Sequence, residues 1–337
     1  MFCKRGFNLA VLLLGGLGST QGMAATQLLA GVEQQYESNA WLLSPQERAG
    51  YKNNPTSPRF AGIQSISDWS LSPYIVLRYR PDKKKNTPRY RVLIETQRYR
   101  QNTLLDNENF YMDVRKRISK ELDARFYVNY SPNVYVGETD SVAADGALTE
   151  EFVASYMAGG AITRFLGDSN RMRVSGFVAR DDYTQGFNNQ DATTFQLGVS
   201  GQHRLNTRMT AQGQLSYETK DTGQAHRGLG VPATNDISSD RFSLNAGLNF
   251  RLDNKTRLFA KYYYYLKSYS TQNKFDNAYF GRKDARHKIK LGLKRKLVGT
   301  WRVRASAQYM QKDSNLRPDL YDYDALSTRI SVEKKFK

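Results

Sequence analysis

The chain has 337 residues, 50 Lys and Arg against 32 Asp and Glu, a formal net charge of +18 and a single cysteine. Aromatic residues make up 12%, with 22 Tyr and only 3 Trp, yet mean hydropathy is -0.65. That polarity excludes a bundle of spanning helices, each of which needs roughly 18 or more apolar residues in a row, and the aromatic content excludes a disordered chain.

The first segment is a processing signal. Met1 to Asn8 carries Lys4 and Arg5, Leu9 to Leu17 is an apolar run, and the small residues of "GMA" precede Ala25. This order of charge, grease and small residues is that of a secretory signal peptide, expected to span residues 1–24 and to leave 25–337 as one exported domain. Losing Lys4 and Arg5 lowers the formal charge from +18 to +16. Cys3 lies in the charged stretch and is not placed as a lipid-attachment cysteine, so the processed chain has no thiol, disulfide or cysteine metal ligand.

Beyond the signal, stretches of alternating apolar and polar residues follow one another with no domain boundary. They predict strands near 26–38, 69–80, 89–100, 109–118, 124–137, 149–165, 171–181, 191–204, 208–220, 239–251, 256–270, 284–296, 301–312 and 323–336. Between them very short gaps such as "LGDSN" (166–170), "LNT" (205–207) and "LVGT" (297–300) alternate with long ones at 39–67, 138–148, 221–238 and 271–284. An even count with short and long connections in turn predicts an all-β fold, a transmembrane up-and-down antiparallel β-barrel of about 14 strands, with 12–16 compatible. In "RFSLNAGLNFRL" Phe242, Leu244, Ala246, Leu248 and Phe250 share one face, and Arg241, Ser243, Asn245, Gly247 and Asn249 the other. A barrel wide enough to hold water turns that polar face inward.

The last strand, "LSTRISVEKKF", alternates Leu326, Thr328, Ile330 and Val332 and closes on Phe336, with Lys337 behind it. With the export signal and the regular hairpins, this resembles the bacterial outer-membrane β-barrel superfamily over nearly the whole processed chain. The resemblance implies a Gram-negative outer-membrane location, contact with lipid and lipopolysaccharide, and recognition of the strand ending at Phe336 by the barrel assembly machinery. Members usually end in the aromatic itself, from which Lys337 departs.

"FAKYYYYLKSYS" (259–270) puts a tyrosine at every position from Tyr262 to Tyr265. On the phase of Leu258, Ala260 and Leu266, Tyr262 and Tyr264 face lipid, where a ring meets acyl chains and its hydroxyl reaches headgroups. Phe259, Lys261, Tyr263, Tyr265, Lys267 and Tyr269 face inward, where tyrosines pack against one another or stack on a sugar.

Many inward positions are basic: Arg78, Arg80, Arg89, Arg91, Arg115, Arg117, Arg125, Arg173, Lys261, Lys267, Lys288, Lys290, Lys294, Arg302 and Arg304, against fewer inward acids such as Glu95 and Asp113. On lipid each such cation would cost about 2–4 kcal/mol at mid-bilayer. With Tyr263 and Tyr265 they form the expected solute-binding lining of a channel for anionic solutes, acidic oligosaccharides among them. Two other uses of the same charges stand beside it: pairing with lipopolysaccharide phosphates at the rims, and bracing against acids across a plugged barrel. An export pore for an acidic exopolysaccharide is a second functional reading. A barrel enzyme acting on lipid or lipopolysaccharide is the third.

The first long segment, 39–67, carries Trp41, Leu42 and Leu43, and either folds into the lumen or caps the outer mouth. His203, His226 and His287, with Asp181, Asp182 or Asp284 near them, select no catalytic constellation by spacing. The expectation is therefore a non-enzymatic protein with no metal and no cofactor, and no nucleic-acid-binding module.

Overall fold

In the computed structural model the described residues are 25–57, 60, 62–82, 86–140, 148–184, 190–222, 237–271, 274 and 278–336, with side chains in 137–140 and 148–150 not described. The expected signal segment lies outside them. The strands are β1 (Ala25–Glu37), β2 (Asp68–Arg80), β3 (Arg89–Tyr99), β4 (Asn107–Arg117) and β5 (Leu122–Asp140). They continue as β6 (Leu148–Leu166), β7 (Asn170–Tyr183), β8 (Ala192–Arg204), β9 (Met209–Asp221) and β10 (Ser239–Arg251). β11 (Thr256–Tyr269), β12 (Lys283–Lys296), β13 (Trp301–Ser314) and β14 (Tyr323–Lys335) complete the set. Each strand pairs antiparallel with its sequence neighbours, and β1 pairs with β14 to close the 14-stranded barrel.

Following the register once around, from Gln27 through Arg78, Arg91, Asp113 and on to Asp284, gains about 16 residues along the chain. For 14 strands that shear sets a tilt of about 38° and a backbone radius of about 14 Å. Side chains alone do not fill such a cylinder.

The two faces are inverted relative to a soluble sheet. Leu197 is 63% exposed, Ile330 58% and Phe195 57%, while Ser70, Ser72, Ser216, Ser243 and Ser331 are buried. In water that surface would be untenable; in a bilayer the apolar side chains are the ones removed from water. Inward aromatic rings lie over inward glycines directly opposite them: Tyr74 over Gly31, Tyr127 over Gly159 and Phe259 over Gly292. The ring takes the place of the absent side chain and covers the backbone.

The short connections gather at one end and have turn chemistry built in. Asn206 accepts from the N–H groups of Arg208 and Met209. Asp253 accepts from those of Lys255 and Thr256, which hold its carboxyl below the usual range. Gly299, with φ of 69°, occupies the left-handed region that a turn residue there requires. At the other end β5 and β6 reach 19 residues each, so residues 138–140 and 148, expected in the loop at 138–148, are strand, and register shifts at Ser131/Val134 and Tyr135/Gly137 bend the hairpin.

The segment between β1 and β2 contains the helix α1 (Pro45–Asn53), started by a capping box between Ser44 and Glu47. Fully buried Asn102 accepts from the N–H groups of Gln64 and Ser65. Arg48 pairs with Asp324 at the start of β14, and the Trp41 ring meets Tyr135 edge-on at 5.4 Å. α1 also packs beside the short helix α2 (Pro318–Tyr321). Every one of these partners sits at the outer end, so the segment caps the mouth.

A Cβ at Gly31 would lie 2.4 Å from the Tyr74 ring. Gly31→Ala should therefore lower stability by about 1–3 kcal/mol, and a Gly31→Ala/Tyr74→Ala double variant should lose less than the two single losses combined. Urea titration of the refolded barrel reads both.

Candidate functional site

The register puts all the cations singled out in the sequence on the inward face, together with Tyr263 and Tyr265. They divide into two sets. In the first, five of the arginines brace against acids. Asp113 takes Arg125 at 3.2 Å and Arg91 at 3.9 Å. Asp123, 4% exposed, takes Arg115 and Arg117. Arg302 pairs with Glu333 at 3.3 Å, and Arg78 donates to Gln27. Arg80 and Arg89 lie at the periplasmic ends of β2 and β3, Arg89 opposite Arg115. The Tyr111 and Tyr127 rings stack at 6.2 Å under the Arg125 guanidinium, which also donates to the Tyr111 hydroxyl.

In the second set no acid stands at ion-pair distance. Among the described residues Arg173, Lys261, Lys288, Lys290, Lys294 and Arg304 make no ion pair. The register sets cation against cation: Lys261 opposite Lys290, and Lys294 between Arg257 and Arg304. Like charges directly opposite destabilise a sheet. Their column runs along β11–β13, and Arg171 and Arg173 face it from β7.

Two cavities open between these cations. One of about 320 Å3 lies along β6–β11 and is lined by Arg171, Arg173 and Lys261 with the amides of Gln202, Gln212, Gln214 and Asn245. The other, about 310 Å3, lies at the periplasmic end among Arg78, Arg257, Lys294, Lys296, Arg302 and Arg304, with Glu333 as its only acid among the described residues. Tyr263 and Tyr265 lie nearly parallel, 3° apart with centroids at 6.4 Å, and Lys288 and Arg286 sit over their faces. Lys267 is nearer the outer end, 4.2 Å from the Tyr269 ring, opposite an Asp284 already bound by Arg282 and Lys312.

Sequence reading omitted several members of this lining. Arg329 pairs with Glu33 at 2.8 Å, Arg241 with Glu218, and Arg171 and Arg286 face the lumen. Phase would have found them: Arg329 alternates with Ser327 and Ser331, and Arg286 precedes Lys288 by one inward step. The histidines fall elsewhere. His287 is on the lipid face, its Nδ1 hydrogen-bonded to Tyr262 at 2.8 Å and its ring 5.0 Å from Tyr264. His203 is also outward, beside Asn170 at the periplasmic end, and His226 lies outside the described residues.

The sequence profile of the outer membrane protein beta-barrel domain matches residues 141–336. The chain belongs to the outer membrane protein beta-barrel family. Its place is therefore the outer membrane of a Gram-negative cell. As a fold, this outer-membrane barrel is similar to the outer membrane channel DcaP of Acinetobacter baumannii at 9% identity, covering 94% of this chain and 99% of that one with a TM-score of 0.51. It is similar as well to a bacterial polysaccharide outer membrane secretin (9% identity, 95% and 100% covered, TM-score 0.47). OmpT of Vibrio cholerae is a further likeness (11% identity, 94% and 99% covered, TM-score 0.48). No curated protein matches the sequence.

Asp113→Asn removes the carboxylate shared by Arg91 and Arg125 and should cost about 1–2 kcal/mol in this wet interior. Lys290→Gln removes one of two opposed cations and should leave stability unchanged or raise it by roughly a few tenths of a kcal/mol. Urea midpoints at low salt compare the two.

Proposed function

We propose that this barrel is an outer-membrane channel for the diffusion of anionic solutes, acidic oligosaccharides among them. The observation that carries this reading is the column of opposed, acid-free cations on β11–β13, Lys261 against Lys290 and Lys294 between Arg257 and Arg304. A sheet that sets like charges together with no acid at ion-pair distance is relieved when an anion enters between them. Several such places in series lower the entry barrier while each holds the solute weakly enough for release. The braces Asp113 and Asp123 keep the β3–β5 wall rigid on the other side. Likeness in fold to DcaP, described as an outer membrane channel, is consistent with this reading and specifies no solute.

Outside the lumen, the partners are membrane lipid and lipopolysaccharide, and the barrel assembly machinery is taken to recognise the last strand. Phe336 there is 40% exposed, and its backbone N–H is bonded to Leu28.

The refolded protein in planar bilayers should give discrete conductance steps with a reversal potential showing anion preference under a salt gradient. Neutralising Lys288, Lys290, Lys294 and Arg304 together should reduce that preference severalfold, whereas neutralising the braced Arg115 and Arg117 should change it much less. Cation preference, or equal effects of the two sets, would overturn the assignment.

A further inference from the structure

The 320 Å3 cavity on the β6–β11 wall differs from the rest of the lining in its amides. Two neighbouring rows of the register build it. One runs Arg173, Ser200, Gln214, Asn245, Tyr263 and Lys288; the other runs Arg171, Gln202, Gln212, Gly247, Lys261 and Lys290. Both rows begin and end in cations and carry amides between.

Chloride or sulfate can use only the N–H half of that middle, having no hydrogen to donate. An amide presents an acceptor oxygen as well as N–H donors, and the oxygen asks for a hydroxyl. Asn245 makes the point sharply: its Oδ1 is buried and has no hydrogen-bond partner, an arrangement that costs about 1–3 kcal/mol until one is supplied. The side chains of Gln202 and Gln214 carry no hydrogen bond within the described residues and are turned to the lumen. Arg171 and Lys261 stand four strands apart, about 19 Å along the wall, and Arg173 and Lys288 five, about 24 Å. A small ion touches one group; an extended polyanion reaches both. Tyr263, at the edge of the cavity, adds a ring face.

We infer that this strip is a binding subsite for an acidic saccharide, a hydroxylated chain with carboxylates spaced along it. The end cations take the carboxylates, the amides take the hydroxyls, and Tyr263 takes a sugar ring face. The volume falls at the low end of the roughly 300–1,000 Å3 of small-ligand sites, suiting a short segment of chain. The inference deepens the channel reading and rests on it for the ligand's route into the lumen.

Isothermal titration of the detergent-solubilised, folded barrel tests the site without requiring conduction. The probes are trigalacturonate; tricarballylate, which has three carboxylates and no hydroxyl; and galactotriose, which has hydroxyls and no charge. Trigalacturonate should bind about tenfold or more tighter than either, since a site built for hydroxyls rejects ligands lacking them. Gln214→Leu/Asn245→Leu should weaken trigalacturonate about tenfold and leave tricarballylate unchanged, with Asn245→Leu alone used if the double variant does not fold. Arg173→Gln/Lys261→Gln should weaken both acids. Equal binding of the two acids, or an amide variant that keeps its affinity for trigalacturonate, overturns the subsite. If that happens in a barrel that conducts with anion preference, the channel reading survives. A barrel that binds trigalacturonate through the amides but does not conduct supports the subsite and overturns the channel.

Discussion

A backbone N–H or C=O left unpaired in hydrocarbon costs several kcal/mol, and no water is present to relieve it. The pairing of β1 with β14, from Leu29 opposite Lys335 to Glu37 opposite Ser327, removes the last two edges. With the cylinder closed, every strand has one face on lipid and one on the lumen. Leu197 and Ile330 must then be exposed to the bilayer, and Ser72 and Ser331 must line the inside. The shear that goes with closure also sets the radius, and the radius leaves room for water.

Inside that radius, polarity is affordable but charge still has to be placed. The structure handles it differently on its two sides. On β3–β5 each buried acid is shared by two arginines, and the stacked tyrosines lie under a guanidinium. On β11–β13 Lys261 and Lys290 are left facing each other, and Lys294 stands between two arginines. Bracing stiffens a wall and cancels its field; an unbraced column leaves the field for a solute to feel. The asymmetry puts the cations without an ion pair on the β7–β13 side and the braced arginines opposite them.

The tyrosine run shows how far local reading reaches. Alternate phase alone sends Tyr262 and Tyr264 to lipid and Tyr263 and Tyr265 to the lumen, and the structure keeps that division. It does not say that Tyr262 would find His287, or that the two lumen rings would lie parallel beneath Lys288 and Arg286. Nor did the turn-forming residues betray that β5 runs on to Asp140 and β6 starts at Leu148, because a long hairpin is sustained by cross-strand pairing that composition does not record.

Strand number, the closed antiparallel architecture and the facing of each side chain were legible in the sequence, because alternation is local and a membrane punishes any departure from it. Which cations are braced was not. Arg329 meets Gln35 across 294 positions, and Lys261 is left without an acid only because the register sets it beside Lys290. Register and shear are properties of the closed sheet as a whole, so the pairing of charges, the amide strip and the side of the lumen on which cations stand without an ion pair were decided only by the tertiary structure.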